Sequence, residues 1–212
     1  MESKGVSKAV IRRLPRYYRY LASLKEDGVR RVSSRELSRL MRITASQMRQ
    51  DLNCFGGFGQ QGYGYNVDEL YGKIATILGI DKEYSAIVIG AGNIGKSIAQ
   101  YKNFIKRGFV IKEIFDNDPG KIGERIDGFI IKDIKDLESY LRENKIDIAM
   151  LTVPREVTRE IAENVVSLGI KGIWNFSPMG VLVEDENVVV ENVHLSDSLM
   201  VLGYNLRNHN IN

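Results

Sequence analysis

Within residues 7–27, apolar or aromatic side chains fall at Val10, Leu14, Tyr17, Leu21 and Leu24. Steps of three and four draw one stripe along a helix. Pro15 interrupts that stripe. Proline fits a first helical turn, so either a short turn precedes the main helix or the helix bends there. Ser33-Ser34-Arg35-Glu36 has the form of a capping box and predicts a short helix that buries Leu37 and Leu40 and stops near Arg42-Ile43. Thr44-Ala45-Ser46-Gln47 repeats the signal as Thr-x-x-Gln and predicts a second short helix through Leu52, with Met48 and Leu52 inward. A further amphipathic helix over residues 67–78 packs Leu70, Ile74 and Ile77, and Gly79 suits its end.

From Ser85 onward short apolar runs alternate with helical patterns. Strands are predicted at 86–89, 109–115, 147–153, 172–176 and 188–193, with helices at 96–104, 136–143 and 156–168. Strands joined through helices make a parallel sheet. The fold class is therefore α/β: a helix-turn-helix domain with a wing over residues 1–80, a Rossmann-like parallel-sheet domain over 81–195, and a terminal helix in 196–212. The domain boundary is expected near 80–84.

Composition adds limits. With 43% hydrophobic and 27% charged residues in 212, the chain is neither disordered nor fibrous. Its longest apolar runs fall far short of the roughly 18 residues that span a bilayer. Met1-Glu2-Ser3-Lys4 leads into no apolar segment, so no secretory signal is visible. One cysteine, Cys54, excludes an internal disulfide framework and a Cys-rich zinc cluster. These features predict a cytoplasmic protein with no membrane partner and no metal.

The net charge of +3 conceals an asymmetry. Residues 1–53 hold 13 Lys and Arg against 5 Asp and Glu, whereas the remainder holds 17 against 22. A basic front segment draws phosphate polymers by counterion release. Two short capped helices behind a longer one, inside that segment, form a helix-turn-helix whose second helix enters the major groove. Ser46, Gln47, Arg49 and Gln50, near its start, carry groups that read base edges or grip phosphates. An ordinary three-helix bundle with a polar surface would share the pattern; the charge tips the reading toward DNA. After Cys54, glycines interleave with Phe55, Phe58, Tyr63 and Tyr65, which reads as a β-hairpin wing. Gly59 would allow close approach to DNA, and Gln60 could donate to it.

Gly90-Ala91-Gly92-Asn93-Ile94-Gly95 follows a predicted strand and precedes a helix, the setting in which G-x-G-x-x-G binds dinucleotide phosphates. Asp116 lies 21 residues beyond Gly95, near the spacing of the acid that accepts from a ribose 2′-hydroxyl, with Asp118 as a competitor. Either acid would repel a 2′-phosphate, so NAD⁺ and NADH are preferred to their phosphorylated forms. Thr152, Val153, Pro154 and Phe176 sit at predicted strand ends, where apolar groups could enclose the nicotinamide and Thr152 or Asn175 could hold its amide. A related fold that binds coenzyme A is the main competitor.

Hydride transfer needs a substrate pocket and a general acid or base. Residues 195–212 form at most one helix, and the chain's imidazoles are His194 and His209. A sensor without catalysis fits better than an enzyme. A small NAD-dependent oxidoreductase and a coenzyme A-responsive DNA-binding regulator remain the alternatives.

The segments Arg13-Leu14-Pro15-Arg16-Tyr17-Tyr18-Arg19, Thr44-Ala45-Ser46-Gln47-Met48-Arg49-Gln50-Asp51-Leu52, the Gly-rich stretch, Gly90 to Gly95, Leu151-Thr152-Val153-Pro154-Arg155-Glu156 and Glu191-Asn192-Val193 together resemble the Rex family of redox-sensing transcriptional repressors. The resemblance spans nearly the whole chain. It implies a homodimer that holds a palindromic operator while NAD⁺ dominates and leaves it as NADH rises. It further implies a C-terminal helix exchanged between subunits, with Leu199, Val201, Leu202 and Tyr204 for burial. It puts Tyr101 near the nicotinamide as part of a switch. In some members that tyrosine pairs with an aspartate just after Glu-Asn-Val, where this chain has His194, with Asp197 three residues on. Arg13, Arg16 or Arg19 would relay between domains or touch phosphate.

Overall fold

The computed structural model describes residues 6–56 and 63–209, without the His209 side chain. The chain divides into two compact units, Met1–Lys82 and Glu83–Asn212.

In the first unit, α1 (Lys8–Glu26) starts at Ser7, whose hydroxyl accepts from the Val10 amide, and runs through Pro15 as one helix. No separate first turn forms. The carbonyl that Pro15 leaves without an N–H partner belongs to Ile11, on the exposed face, where water can serve it. Val10, Leu14, Tyr17 and Leu21 are the buried stripe. The chain then enters β1 (Arg31–Val32) and α2 (Ser34–Met41), which begins with both bonds of the Ser33/Glu36 capping box. Leu37 is buried as predicted, but Leu40 is 45% exposed, and Met41, one turn on from Leu37, takes the inward place. In α3 (Ala45–Asn53) only half of the second capping box forms. Thr44 Oγ1 accepts from the Gln47 amide, while the Gln47 side chain turns to Asp51 instead of reaching back.

The strand beyond the Gly-rich stretch, β2 (Tyr65–Asn66), pairs antiparallel with β1, Val32 opposite Tyr65. Thus the observed ladder joins the α1–α2 connection to the end of the Gly-rich stretch. Gly59 and Gln60 lie outside the described residues. At Gly64, φ is +70° and a Cβ would stand 2.7 Å from the Val32 carbonyl oxygen, so only glycine fits beside β1. Asn66 caps α4 (Val67–Leu78), and Gly79 ends it in the left-handed region. Leu14, Tyr17, Leu37, Met48, Leu52, Leu70 and Ile74 meet in one core.

The second unit runs β3 (Tyr84–Ile89), α5 (Asn93–Ala99), a 3₁₀ turn (Lys102–Arg107), β4 (Phe109–Asp116), a small antiparallel pair β5 (Arg125–Ile126) and β6 (Phe129–Ile130), β7 (Lys132–Asp133), α6 (Leu137–Glu143), β8 (Ile148–Leu151), α7 (Arg155–Ser167), β9 (Gly172–Asn175), β10 (Val189–Asn192) and α8 (Leu195–His209). The helix predicted at 96–104 is instead two pieces: α5 starts three residues earlier, at the Gly92 N-cap, and Tyr101, with ψ at 85°, breaks the helix before the 3₁₀ turn. The six-stranded sheet has the order β10-β9-β8-β3-β4-β7, every pair parallel. This is the doubly wound order in which the chain leaves β3 to one side and returns to the other at β8, opening a crevice at their carboxyl ends. Ile87 and Ile89 bury on one face of β3, Ala86 and Val88 on the other, the period-two pattern of a strand covered on both sides.

Helix α8 has no such cover among the described residues of its own unit. Leu199, Met200, Val201, Leu202, Tyr204 and Leu206 are each more than half exposed.

Candidate operator-binding and nucleotide-binding sites

On α3, Ser46, Arg49 and Gln50 are exposed and Gln47 is half-buried. Arg49 reaches Ser34 Oγ of α2 at 3.2 Å. Behind this face lies a carboxylate to which the sequence alone assigned nothing. Asp51 is fully buried, and Arg13 grips it with two bonds, Nε to Oδ2 at 2.6 Å and a terminal nitrogen to Oδ1 at 2.7 Å. Tyr17 Oη donates to Oδ2 at 3.0 Å and Gln47 Nε2 to Oδ1 at 2.9 Å. Burial pushes the Asp51 carboxyl up, but the bonds from Arg13, Gln47 and Tyr17 outweigh it and hold the group below its ordinary range. Burial, followed by the bond to Asp51, pushes the Tyr17 hydroxyl up. The cluster fastens α3 to α1. Arg16 works alongside, donating to the Met41 carbonyl at the end of α2 at 2.7 Å. Of the three α1 arginines expected to relay or to touch phosphate, two are therefore engaged inside their own unit. The available signal was a helical acid three residues from buried Met48.

At the crevice, each glycine of the loop is needed for a different reason. Gly90 has φ +98°, and a Cβ there would meet the Thr152 carbonyl oxygen at 2.6 Å. A Cβ on Gly95 would fall 1.9 Å from the Gly90 carbonyl oxygen. One on Gly92 would meet no atom within 4 Å, so this position stands open at the start of α5, where a pyrophosphate could approach the backbone. Ala91 donates its amide to Asp116 Oδ2 at 2.6 Å, while Asp118 N and Lys121 Nζ reach the same carboxylate at 2.8 and 3.3 Å. Burial raises the Asp116 carboxyl, but the Asp118 and Ala91 amides and Lys121 bring it below its ordinary range. Asp116 thus braces the glycine loop from within. Asp118, more exposed, accepts from the Gly120 amide at 2.9 Å and pairs with Lys121.

Thr152 donates its hydroxyl to the Gly90 carbonyl at 2.6 Å, so it locks the loop from the β8 side. Val153 packs into the core and Pro154 caps α7. Asn175 is buried and committed: its amide donates to the Met179 carbonyl and to Asn192 Oδ1, and its oxygen accepts from the Ser177 amide. It has no amide to offer a ligand. The apolar cavity of about 460 Å³ lies instead beside α5, lined by Asn93, Ile94, Tyr101, Phe104, Trp174 and Phe176 among others. Four of these rings form an edge-to-face chain, with centroids 4.7, 5.5 and 4.5 Å apart from Tyr101 to Phe176. Tyr101 and Phe176 were expected there; Val153 and Pro154 do not line it. Phe104 and Trp174 were missed, because residues 70 apart meet only through the sheet order. Among the described residues, no three His, Cys, Asp or Glu side chains gather to hold a metal.

A helix-turn-helix unit joined to a dinucleotide-binding parallel sheet defines a ligand-responsive DNA-binding regulator. Residues 5–53 match a family described as a putative DNA-binding protein N-terminus, and residues 81–179 match the CoA binding domain family. A redox-sensing transcriptional repressor Rex from Thermoanaerobacter sp. (strain X514) is 55% identical over 95% of this chain and 89% of its own length. Among solved structures, RSP in complex with beta-NADH superposes with a TM-score of 0.90 at 50% identity, over 98% of this chain and 97% of RSP. RSP with beta-NAD⁺ and operator DNA gives 0.89 at 53% identity, over 97% and 94%. The chain belongs to the Rex family of redox-sensing transcriptional repressors, and it is not an enzyme.

Proposed function

We propose that this repressor holds operator DNA through its first unit and releases it when NADH occupies its second. RSP, taken in complexes with NADH and with NAD⁺ plus operator, supports the reading. The observation that carries it in this chain is the locked glycine loop beside an aromatic cavity, joined to a helix-turn-helix.

Ser46, Gln47, Arg49 and Gln50 of α3 face the major groove. The dinucleotide lies along Gly90-Ala91-Gly92-Asn93-Ile94-Gly95, with its pyrophosphate at the α5 amides. Asp118 is the better acceptor for the ribose, since Asp116 is turned inward to the loop. Val153 and Pro154 contribute through the backbone that carries Thr152. Tyr101 and Phe176 flank the nicotinamide. The dinucleotide supplies a ring that is cationic when oxidised and neutral when reduced. Among the described residues no carboxylate lines the aromatic cavity, so enclosing a cation there costs desolvation free energy that the neutral ring does not incur. A closed cavity therefore favours NADH.

Two copies act together. Helix α8, apolar and uncovered, fits exchange with a second chain, giving a homodimer whose two α3 helices match half-sites about 34–36 Å apart on a palindromic operator. Closure that alters this spacing lowers DNA affinity; a reversal from 99:1 bound to 1:99 needs about 5.5 kcal/mol of differential affinity. No helix among the described residues is long and apolar enough to cross a membrane, and a repressor of cytoplasmic DNA works in the cytoplasm.

The test is fluorescence anisotropy of a labelled palindromic duplex titrated with protein, then with NADH, NAD⁺ and coenzyme A separately. Release by NADH at concentrations where the other two leave the complex intact is the expected result. Equal retention in NADH and NAD⁺ overturns the reading, and release by coenzyme A alone would move the protein to the other ligand class.

A further inference from the structure

The Asp51 cluster does more than pin two helices. Asp51 offers only acceptor oxygens when ionised, and its Oδ1 accepts a hydrogen bond from Gln47 Nε2 at 2.9 Å. The Gln47 carboxamide is therefore held with its nitrogen toward the interior. Among the described residues nothing donates to Gln47 Oε1. No buried side-chain oxygen or nitrogen in them lacks a partner either, so this unpaired oxygen reaches solvent. It does so one residue from exposed Ser46 and two from exposed Arg49.

We infer that Asp51 is a positioning residue for operator specificity: by holding the Gln47 nitrogen, it presents Oε1 as a hydrogen-bond acceptor to the DNA, so Gln47 selects a base with an exocyclic amine in the major groove. This rests on the reading of α3 as the DNA-facing helix. In the major groove, adenine N6 and cytosine N4 donate, whereas guanine O6 and thymine O4 accept. An unconstrained glutamine rotates its amide to suit either kind of edge. One anchored to a carboxylate cannot do so without breaking the anchor. Arg13 and Tyr17 make the anchor rigid, because the carboxylate that orients Gln47 is itself tied to α1 by three bonds. Gln47 thus has a fixed polarity although it lies on an otherwise adaptable polar surface.

The experiment measures affinity by anisotropy for duplexes carrying each base at every position of both half-sites, using the full-length protein. Wild type, Gln47→Ala, Asp51→Asn and Arg49→Ala are compared, with thermal melting to check folding. At one position the wild type should prefer adenine or cytosine over guanine or thymine by about fivefold, the worth of one neutral hydrogen bond. Gln47→Ala should flatten the preference there and nowhere else. Asp51→Asn, which can donate to Oε1 and so let the amide turn over, should shift it toward guanine or thymine at that same position. A merely structural role would weaken all sequences alike.

Where Asp51→Asn fails to fold, purine in place of adenine and 2-pyrimidinone in place of cytosine, each lacking the exocyclic amine, test the wild type directly. Binding about fivefold weaker at the same position, with no further loss in Gln47→Ala, supports the inference. A Gln47→Ala profile identical to wild type, or indifference to amine removal at every position, overturns it. If Arg49→Ala still weakens binding in that case, α3 remains the DNA-facing helix and only the role of Asp51 is lost. Should Arg49→Ala also have no effect, the underlying reading of α3 falls together with it.

Discussion

Glycines 92 and 95 stand three residues apart at the start of α5, yet of methyl groups added to them only the one at Gly95 should cost stability. At Gly95 the new Cβ would lie 1.9 Å from the Gly90 carbonyl oxygen and 2.8 Å from Thr152 Oγ1. Since Gly90 is itself held by Thr152, relief must come from moving α5 off the end of β3. Overpacking of this kind costs about 1–3 kcal/mol, and the better helix propensity of alanine returns at most about 1 kcal/mol. A net loss of about 2 kcal/mol lowers the melting temperature of a unit of this size by roughly 6 °C. Gly92→Ala meets no protein atom, and its φ of −74° is ordinary for alanine. Reduced unfolded-state entropy and the poorer N-cap offset each other to within about 1 kcal/mol. On the proposed function its methyl instead enters the space given to the pyrophosphate, and losing a charge-assisted backbone bond costs about 1.5–3 kcal/mol, or roughly 10- to 100-fold in affinity. Calorimetric melting and NADH fluorescence titration measure the two effects separately. Gly92→Ala should melt like wild type and bind NADH at least tenfold more weakly, whereas Gly95→Ala should lose both stability and affinity. Wild-type NADH affinity in Gly92→Ala would refute the phosphate-cradle assignment, and an unchanged melting temperature in Gly95→Ala would refute the packing argument.

Two further outcomes are expected. Arg13→Met leaves the Asp51 carboxylate with Tyr17 and Gln47 alone and should destabilise the first unit by about 3 kcal/mol near neutral pH, at the low end for a broken buried pair. Because the folded-state carboxyl of Asp51 lies below its unfolded value, this stabilisation is present above the ordinary carboxylate range and is lost as pH falls through it. The gap between wild type and variant in urea midpoints should therefore narrow below about pH 4, and a gap independent of pH would contradict the account. Leu199→Asp with Leu202→Asp removes apolar surface from α8 without touching any core within the chain; analytical ultracentrifugation should find monomers that bind single half-sites weakly, and an intact dimer would show that α8 does not hold the copies together.

Periodicity was enough to recover α1, α4 and most strands of the parallel sheet, and a capping signal was enough for α3, since stripes at three and four, runs of branched apolar residues and cap spacings are local properties. Glycine spacing was likewise enough to find the tight turn from β3 into α5: the φ at Gly90 and the close approach at Gly95 are demands that only glycine meets, so they leave a mark in the chain itself. Other features needed partners brought from afar. Leu40 and Met41 are both apolar, and which of them turns inward depends on where α2 lies against α1. Gln47 had two local options, its own helix start or Asp51, and the second won because Arg13 and Tyr17 deliver a carboxylate that is already ordered. Asn175 looked available at a strand end, but its neighbours Asn192 and Met179 arrive from the next strand and loop and use up its amide. The aromatic cavity joins Tyr101 and Phe104 to Trp174 and Phe176 across the sheet, a meeting set by strand order. What repeats within a few residues is written in the chain; which polar group satisfies which, and which rings share a pocket, is decided only when distant segments compete for the same buried space.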